Sequence, residues 1–351
     1  MSNLRIGYWP LSDSMTATGD RRRLVFWAKD RGHAITSDFS KKVDVIVASE
    51  KTDFNADYFN LGNTPIILDL VDGYLSPQND FEDFARGLLK HMNGQIRGAI
   101  KPFSKHVRDF CIKSNAVVCS SIEQEKLIKL YNKNTHVILD SHDEIPFLPQ
   151  RNLISGHSNS FRILWEGKPA TIGGVNSISS ALNELKKAYS LNFNFVTDES
   201  YFLISNTYIR GKTYDLLKKD LKQSIQQASI IPWSIENLVE SAKMSSLAVI
   251  PLEISVPIQK MKPENRLLIM WRLGLPCLTA DTPAYKRVSL QAGVDVICKE
   301  SKQWVENIDR FLSDPKYAAR QVTAGQNYLM ESHSRAILLK KWDDAIASVL
   351  G

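Results

Sequence analysis

Lys260, Lys262 and Arg266 crowd the entrance to an apolar stretch carried by Leu267, Leu268, Met270, Trp271 and Leu275. The spacing is helical, Pro263 suits a first helical turn where its missing N–H is not needed, and Gly274 with Pro276 beyond it marks the end. Basic side chains ahead of a helix N-terminus bind phosphate together with the unpaired backbone N–H groups of the first turn, so phosphate recognition is the chemistry these residues suit. Cys277 to Ala280 then reads as a short buried strand and Asp281-Thr282-Pro283 as the entry to another helix. Other chemistries find no support. No GxGxxG follows the first strand-like run, which argues against a dinucleotide dehydrogenase. GxxxxGK[ST], HExxH, GxSxG and clustered Cys/His sets are missing as well.

The elements that would position such residues alternate along the whole chain. Strand-like runs begin at Leu4–Tyr8, Val43–Ala48, Pro65–Leu70, Ala116–Ser120 and His136–Leu139. Helical patterns lie between them at Thr18–Gly32, within Asp80–Lys113, and at Glu123–Tyr131. After a Pro-, Ser-, Asn- and Gly-rich segment the alternation resumes. It predicts strands at Phe161–Trp165, Asn192–Val196, Gln227–Pro232, Leu247–Pro251 and Asp295–Cys298, with helices at Ser177–Tyr189 and Ile235–Met244. Two helices close the chain, Lys302–Ser313 and Lys316–Val349, the second with a break near Ser332–Ser334. Alternation of this kind predicts parallel strands with crossover helices. The boundaries read as residues 1–145 for a first domain, 146–160 for a linker, 161–330 for a second domain, and 331–351 for a final helix that crosses back to the first.

The opening unit resembles the donor-nucleotide region of GT-B glycosyltransferases, in the large group with a Lys-x-x-Asn-Arg helix entry. Lys262, Asn265, Arg266, Gly274, Pro276, Thr282, Pro283 and Tyr285 carry the likeness. The order of the remaining pieces is similar to the same fold. In the first half these are Arg31–Thr36, Asp44–Ser49, Pro65–Leu75 and Ala116–Ser121; in the second, Arg162–Pro169 and Ile230–Leu252. The resemblance therefore implies an α/β GT-B fold, two Rossmann-like domains facing across a cleft, with an acceptor domain first and a nucleotide-sugar donor domain second. One departure stands out. Many retaining members carry a Glu, seven residues and a second Glu that holds the ribose, and Met261 and Ile269 occupy those positions here.

What the resemblance implies for the site follows residue by residue. A glycosyltransferase must offset charge on a departing nucleotide diphosphate and, if it inverts configuration, supply a general base. Lys168 aligns with the basic residue that follows the first donor-domain strand, and Lys262 is the second diphosphate candidate. Glu166, beside Gly167, could orient Lys168, contact the sugar, or satisfy nearby backbone. Trp233 lies where the nucleotide base is placed and stacks on it or belongs to the core. Asn265 and Arg266 position ribose or phosphate, or cap and brace the helix. Arg21 is the member of the Arg21–Arg23 run chosen for donor phosphate or acceptor contact, since successive helical residues point about 100° apart. Asp72 is the candidate base, with Asp69, Asp13 and Asp20 as rivals. His142 lies near the domain junction and reads as a surface residue or one approaching the cleft.

Composition sets the remaining bounds. With 351 residues, 43% hydrophobic and 23% charged, the chain reads as a two-domain globular protein. No run approaches the roughly 18 apolar residues of a membrane span, and the N-terminus does not read as a signal peptide. A cytoplasmic location is expected, with peripheral contact at the inner face of the cell membrane. The net charge of +6, concentrated between Arg86 and Lys113, reads as solvated helical faces or as a dock for anionic lipid or a lipid-linked acceptor. Basic residues are not interleaved with aromatics, so nucleic acid is not an expected partner. Cys111, Cys119, Cys277 and Cys298 lack metal-ligand spacing and read as reduced core thiols. No metal or other cofactor is expected; the partners are a nucleotide-sugar donor and a glycan or lipid-linked acceptor, in cell-surface polysaccharide synthesis. Two other readings stay open, a nucleotide-sugar epimerase of the same architecture and a nucleotide- or glycan-binding module without turnover.

Overall fold

The computed structural model describes residues 3–53, 63–76, 79–150, 159–202, 210–225 and 227–351. The chain divides into two units, one of Met1–His142, Met261–Pro263 and Ser334–Gly351, the other of Asp143–Lys260 and Glu264–His333. Of the segment read as a linker, residues 151–158 lie outside the described residues.

The first unit runs β1 (Arg5–Trp9), α1 (Thr18–Arg21), α2 (Leu24–Arg31), β2 (Ala34–Thr36), β3 (Val45–Ser49), β4 (Ile66–Leu70), α3 (Asp80–Met92), α4 (Phe103–Lys113), β5 (Ala116–Cys119), α5 (Ile122–Ile128) and β6 (Thr135–Val137). Its strands pair in parallel in the order β2-β1-β3-β4-β5-β6. Every position of β3, β4 and β5 is buried, because helices cover both faces; that is why these strands are apolar in the sequence apart from Ser49 and Asp69. Alternate residues serve opposite faces. Val45 and Val47 join Leu24 and Trp27 of α2, whereas Ile46 and Ala48 join Phe103, Val107 and Phe110 of α4.

The second unit runs β7 (Ser160–Glu166), α6 (Gly173–Asn176), α7 (Ser179–Leu185), β8 (Ser190–Val196), β9 (Ser200–Phe202), β10 (Arg210–Lys212), α8 (Lys219–Ser224), β11 (Gln227–Ile231), α9 (Ile235–Met244), β12 (Leu247–Ile250), α10 (Pro257–Lys260), α11 (Asn265–Arg272), β13 (Cys277–Ala280), α12 (Pro283–Ala292), β14 (Ile297–Cys298), α13 (Ser301–Ser313) and α14 (Pro315–Ser332). Its main sheet is parallel, in the order β11-β8-β7-β12-β13-β14, and β9 pairs with β10 as a separate antiparallel ribbon. Each sheet is an α/β layer of Rossmann type. The strand order reverses between β7 and β12, and the carboxyl ends of strands at such a reversal are where open α/β sheets hold ligands.

The last helix, α15 (Arg335–Leu350), belongs to the first unit. Leu339, Trp342, Ala345 and Ile346 enter the core formed by β1, β3 and α2. Trp342 stacks on Trp27 with ring centroids 6.1 Å apart, and the Trp27 indole N–H donates to Asp343 at 2.8 Å.

Three local expectations are corrected. The helix predicted over Thr18–Gly32 is two helices, because Arg23 leaves helical geometry to turn its guanidinium into the core. Pro263 precedes α11 rather than occupying its first turn; the helix starts at Asn265 after Glu264, whose buried carboxylate pairs with Arg287 at 3.2 Å. Of the two readings of His142 the surface one is overturned: the residue is buried at 6% exposure, next to Ser141, whose N–H bonds the Arg22 carbonyl. Gly274 does end the helix expected before it, with φ at +67°, and Thr282 caps α12 by accepting from the Tyr285 N–H.

Candidate functional site

In the second unit the candidates gather at the carboxyl ends of the strands. Glu166 closes β7, and the loop Pro232–Ser234 leaves β11 two strands away. That loop is pinned, since Ser234 caps α9 through the Asn237 N–H and the Asn237 amide donates back to the Pro232 carbonyl at 2.8 Å. Trp233 is thereby presented to Glu166, and its indole N–H donates to Oε1 at 2.9 Å. The other carboxylate oxygen, Oε2, is buried and has no hydrogen-bond partner among the described residues.

Arg266, in the first turn of α11, donates to the Glu166 carbonyl at 3.1 Å. A Cβ on Gly167 would stand 2.9 Å from that guanidinium and 3.1 Å from the Trp165 ring, so glycine is what lets Arg266 lie across the strand end. Arg266 also neighbours the Tyr285 phenol, which burial pushes up to about 12 against the opposing pull of the guanidinium. Asn265 is the first helical residue and not the cap; its Oδ1 is buried without a hydrogen-bond partner among the described residues. Lys168 is exposed, at the start of a short 3-10 turn braced by the Thr171 hydroxyl on the Lys168 carbonyl.

Two buried acceptor oxygens without donors, a guanidinium and an indole thus occupy one strand-end region. Buried acceptors are almost always satisfied in folded proteins, so this set suits a ligand that brings hydroxyl or N–H donors together with negative charge.

In the first unit the candidate bases separate by their surroundings. Asp20 accepts from the Tyr8 hydroxyl, the Leu11 and Ser12 N–H groups and the Ser12 hydroxyl, between 2.6 and 2.9 Å, and so pins the loop after β1. Asp69 is held by Arg23, whose Nε lies 3.0 Å from both carboxylate oxygens; Arg23 Nη1 also reaches the Ile138 carbonyl at 2.6 Å and Asp140 at 3.4 Å. Both acids are structural. Asp13 is exposed, and Arg21 braces the same loop by donating to the Thr16 carbonyl at 2.8 Å.

Asp72, just past β4, is half-buried and takes the Lys262 ammonium at 2.5 Å. Met261, at the position of the missing ribose Glu, lies against Gly73. Sequence reasoning missed Glu50, which follows β3 as Asp72 follows β4. Glu50 Oε1 accepts from the Tyr74 hydroxyl at 2.9 Å, and its carbonyl accepts from Gln95, which in turn accepts from Lys90. The residue as a whole is half-buried, but Oε2 is shut off from solvent and has no hydrogen-bond partner among the described residues. Burial first, and the Asp72 charge second, push the Glu50 carboxyl up to about 7. Burial also brings Lys90 down to about 8, its ammonium lying 4.4 Å from the Phe103 ring centre. The signal in the sequence was an acid one residue beyond a mostly apolar strand.

The basic stretch between Arg86 and Lys113 is largely engaged: Lys101 and Arg108 both pair with Asp109, and Arg97 approaches Asp53 at 3.9 Å. Beside it α3 exposes Phe81 and Met92, at 78% and 71%. All four cysteines are free and buried. Among the described residues no three or more His, Cys, Asp or Glu side chains gather as a metal site, and no helix is long and apolar enough to cross a membrane.

Comparison with protein-family models gives no match, and neither does comparison with curated sequences. Solved structures do match. A mutant TarM from S. aureus, crystallised with fondaparinux, alpha-GlcNAc-glycerol and UDP, is 11% identical with a TM-score of 0.55 over 86% of this chain; the chain spans 55% of that protein's length. HepE from Anabaena, in complex with UDP and glucose, is 11% identical with a TM-score of 0.66 over 99% of this chain and 100% of its own. Sucrose-phosphate synthase from Thermosynechococcus elongatus is 10% identical with a TM-score of 0.59, covering 97% and 80%. The fold is therefore the one these GT-B glycosyltransferases share, with two parallel sheets each layered by helices.

Proposed function

We propose that the chain transfers a sugar from a nucleotide-sugar donor to a hydroxyl of a glycan or lipid-linked acceptor. The observation that carries this reading is the set of donor-less acceptors in the second unit, Glu166 Oε2 and Asn265 Oδ1, beside Arg266 and Trp233. A nucleotide sugar offers the complement: ribose or sugar hydroxyls for the two oxygens, a diphosphate for the cation, and a base for the indole face. HepE and TarM were both crystallised with UDP, and their shared fold supports the same ligand class here.

In this reading Lys168 and Arg266 offset charge on the leaving diphosphate. For Lys262, which the sequence suggests for the same task, we propose the narrower role of holding Asp72. Asp72 is the carboxylate that meets the acceptor hydroxyl in an inverting displacement. Phe81 and Met92 on α3 would touch the apolar part of a lipid-linked acceptor or an anionic membrane, and cell-surface polysaccharide synthesis is the setting that suits such an acceptor.

The test is thermal stabilisation across UDP, GDP, dTDP, ADP and CMP with their common sugar forms, repeated on Glu166→Ala. A nucleotide present at about 100 times its dissociation constant stabilises by about 2.7 kcal/mol, a readable midpoint shift. One selective nucleotide, with the shift lost in Glu166→Ala, is the expected result. Absence of stabilisation by any of them, or an undiminished shift in the variant, would remove the donor site from this edge.

A further inference from the structure

We propose that Glu50 is the destination of the acceptor's proton, and that Asp72, fixed by Lys262, is the neighbouring carboxylate that orients the hydroxyl. The inference rests on the glycosyl-transfer reading and changes which side chain does its acid–base work. Glu50 and Asp72 leave the ends of adjacent parallel strands, β3 and β4, so the sheet places both carboxylates on one edge. Asp72 already has an ammonium on Oδ1, which offsets its charge. Glu50 has no cation on either oxygen among the described residues; Tyr74 holds Oε1 and leaves Oε2 buried without a donor.

A carboxylate oxygen in that state is stabilised by gaining a proton, and a hydroxyl entering the edge supplies one. In the transfer step the acceptor oxygen forms a bond to the anomeric carbon as the bond from that carbon to the diphosphate oxygen breaks. The electron pair leaves with the nucleoside diphosphate, and the acceptor proton moves to Glu50 Oε2. The charges acting on Glu50 are Asp72, Lys262 and, from α3, Lys90, while Arg86 lies over its partner Tyr74, 5.7 Å from the ring. Like charge from Asp72 and desolvation favour the protonated form, and the two lysines oppose it. The shift of the Glu50 carboxyl to about 7 agrees with that arrangement. A group poised there is a proton acceptor matched to neutral pH.

The test uses the full chain, Glu50→Gln and Asp72→Asn. Nucleotide binding is measured first, with the panel above, and is expected to be equal in wild type and Glu50→Gln. Turnover is then followed as release of the nucleoside diphosphate from UDP-glucose, GDP-mannose and the donor form of whichever nucleotide stabilises the protein, with water as acceptor. Glu50→Gln is expected to lose about a hundredfold or more in kcat with little change in donor KM, and to lose the acid limb of the pH profile. Carbon-13 spectra of glutamate-labelled protein should show a carboxyl that titrates near neutral pH, vanishes in Glu50→Gln and moves to lower pH in Asp72→Asn. A Glu50 carboxyl that titrates below pH 5 overturns the proposal whether or not turnover is found, and so does a Glu50→Gln protein that keeps kcat and its acid limb. Wild type that binds no nucleotide sinks the glycosyl-transfer reading instead, a result the variant cannot mimic.

Discussion

Glu50→Gln should change how stability depends on pH, with no substrate involved. A carboxyl raised from 4.5 in the unfolded chain to about 7 in the folded one means that the folded state binds more protons between those values. Stability must then fall as pH rises through that window and level off above it, the reverse of the usual acid held low by a salt bridge. With about 1.36 kcal/mol for each pH unit of difference, the full loss is roughly 3 kcal/mol, most of which falls between pH 5 and pH 7.5. The glutamine side chain has nothing to titrate. Its amide still accepts from Tyr74 but places a donor where Oε2 was, so a fixed offset of about 1–3 kcal/mol in either variant's favour carries no information. The informative quantity is the change in the difference. From pH 5 to pH 7.5 the Gln variant should gain about 2 kcal/mol relative to wild type. Histidines common to both proteins cancel, and Lys90, brought down to about 8, still carries its proton over most of the window. Urea unfolding at the two pH values, read by hydrogen exchange in peptides from β3 and β4, isolates the first unit from the second. A difference between the two proteins that stays constant across the window would refute the reasoning, because Glu50 would then be ionising as an ordinary exposed acid.

Three other outcomes follow from the packing. Trp342→Ala removes a side chain that is 1% exposed and stacked on Trp27, and should destabilise the first unit by about 3–5 kcal/mol in urea unfolding, loosening α15 first. Arg23→Ala leaves Asp69 and Asp140 buried without their cation and should cost about 3–5 kcal/mol, whereas pairing Arg23→Met with Asp69→Leu should recover much of it. Trp233→Phe keeps the ring but frees Glu166 Oε1, and by calorimetry should weaken the stabilising nucleotide about three- to tenfold, the worth of one hydrogen bond; unchanged affinity would mean that Glu166 needs no orienting.

What was legible in the sequence follows from which forces are local. β3, β4, β5 and β13 could be read because helices on both sides of a parallel sheet demand mostly apolar runs, which Ser49, Asp69 and Thr279 interrupt only singly, and α9 because its amphipathic spacing lies between a capping Ser234 and Ser245. The break at Arg22–Arg23 was invisible: no Gly or Pro stands there, and what bends the chain is Asp69, forty-six residues on. The meeting of Glu166 with Trp233 depends on strand order, since β8 lies between β7 and β11 and their separation of sixty-seven residues carries no trace of it. β2 and the β9–β10 ribbon, three residues a strand, are too short to show a period. Glu50 was legible in principle. Both strand ends, Ser49-Glu50 and Val71-Asp72, carry an acid beyond an apolar run, and reading adjacent strands together would have paired them.

The chain contains its own control for the meaning of its unsatisfied carboxylates. Where an acid is structural the fold surrounds it with donors: four on Asp20, an Arg23 guanidinium on Asp69. Glu166 and Glu50 sit at the same kind of place, the carboxyl end of a parallel strand, yet each has one oxygen engaged by an aromatic donor and the other buried with no partner among the described residues. Each such oxygen costs about 1–3 kcal/mol, against a net stability of about 5–15 kcal/mol for a whole domain. Gln at either position would keep the aromatic hydrogen bond without the buried charge, and an apolar residue would avoid the cost altogether. Stability alone therefore selects against glutamate twice, and in each unit taken by itself a hydroxyl-bearing ligand that supplies the missing donor offsets that cost.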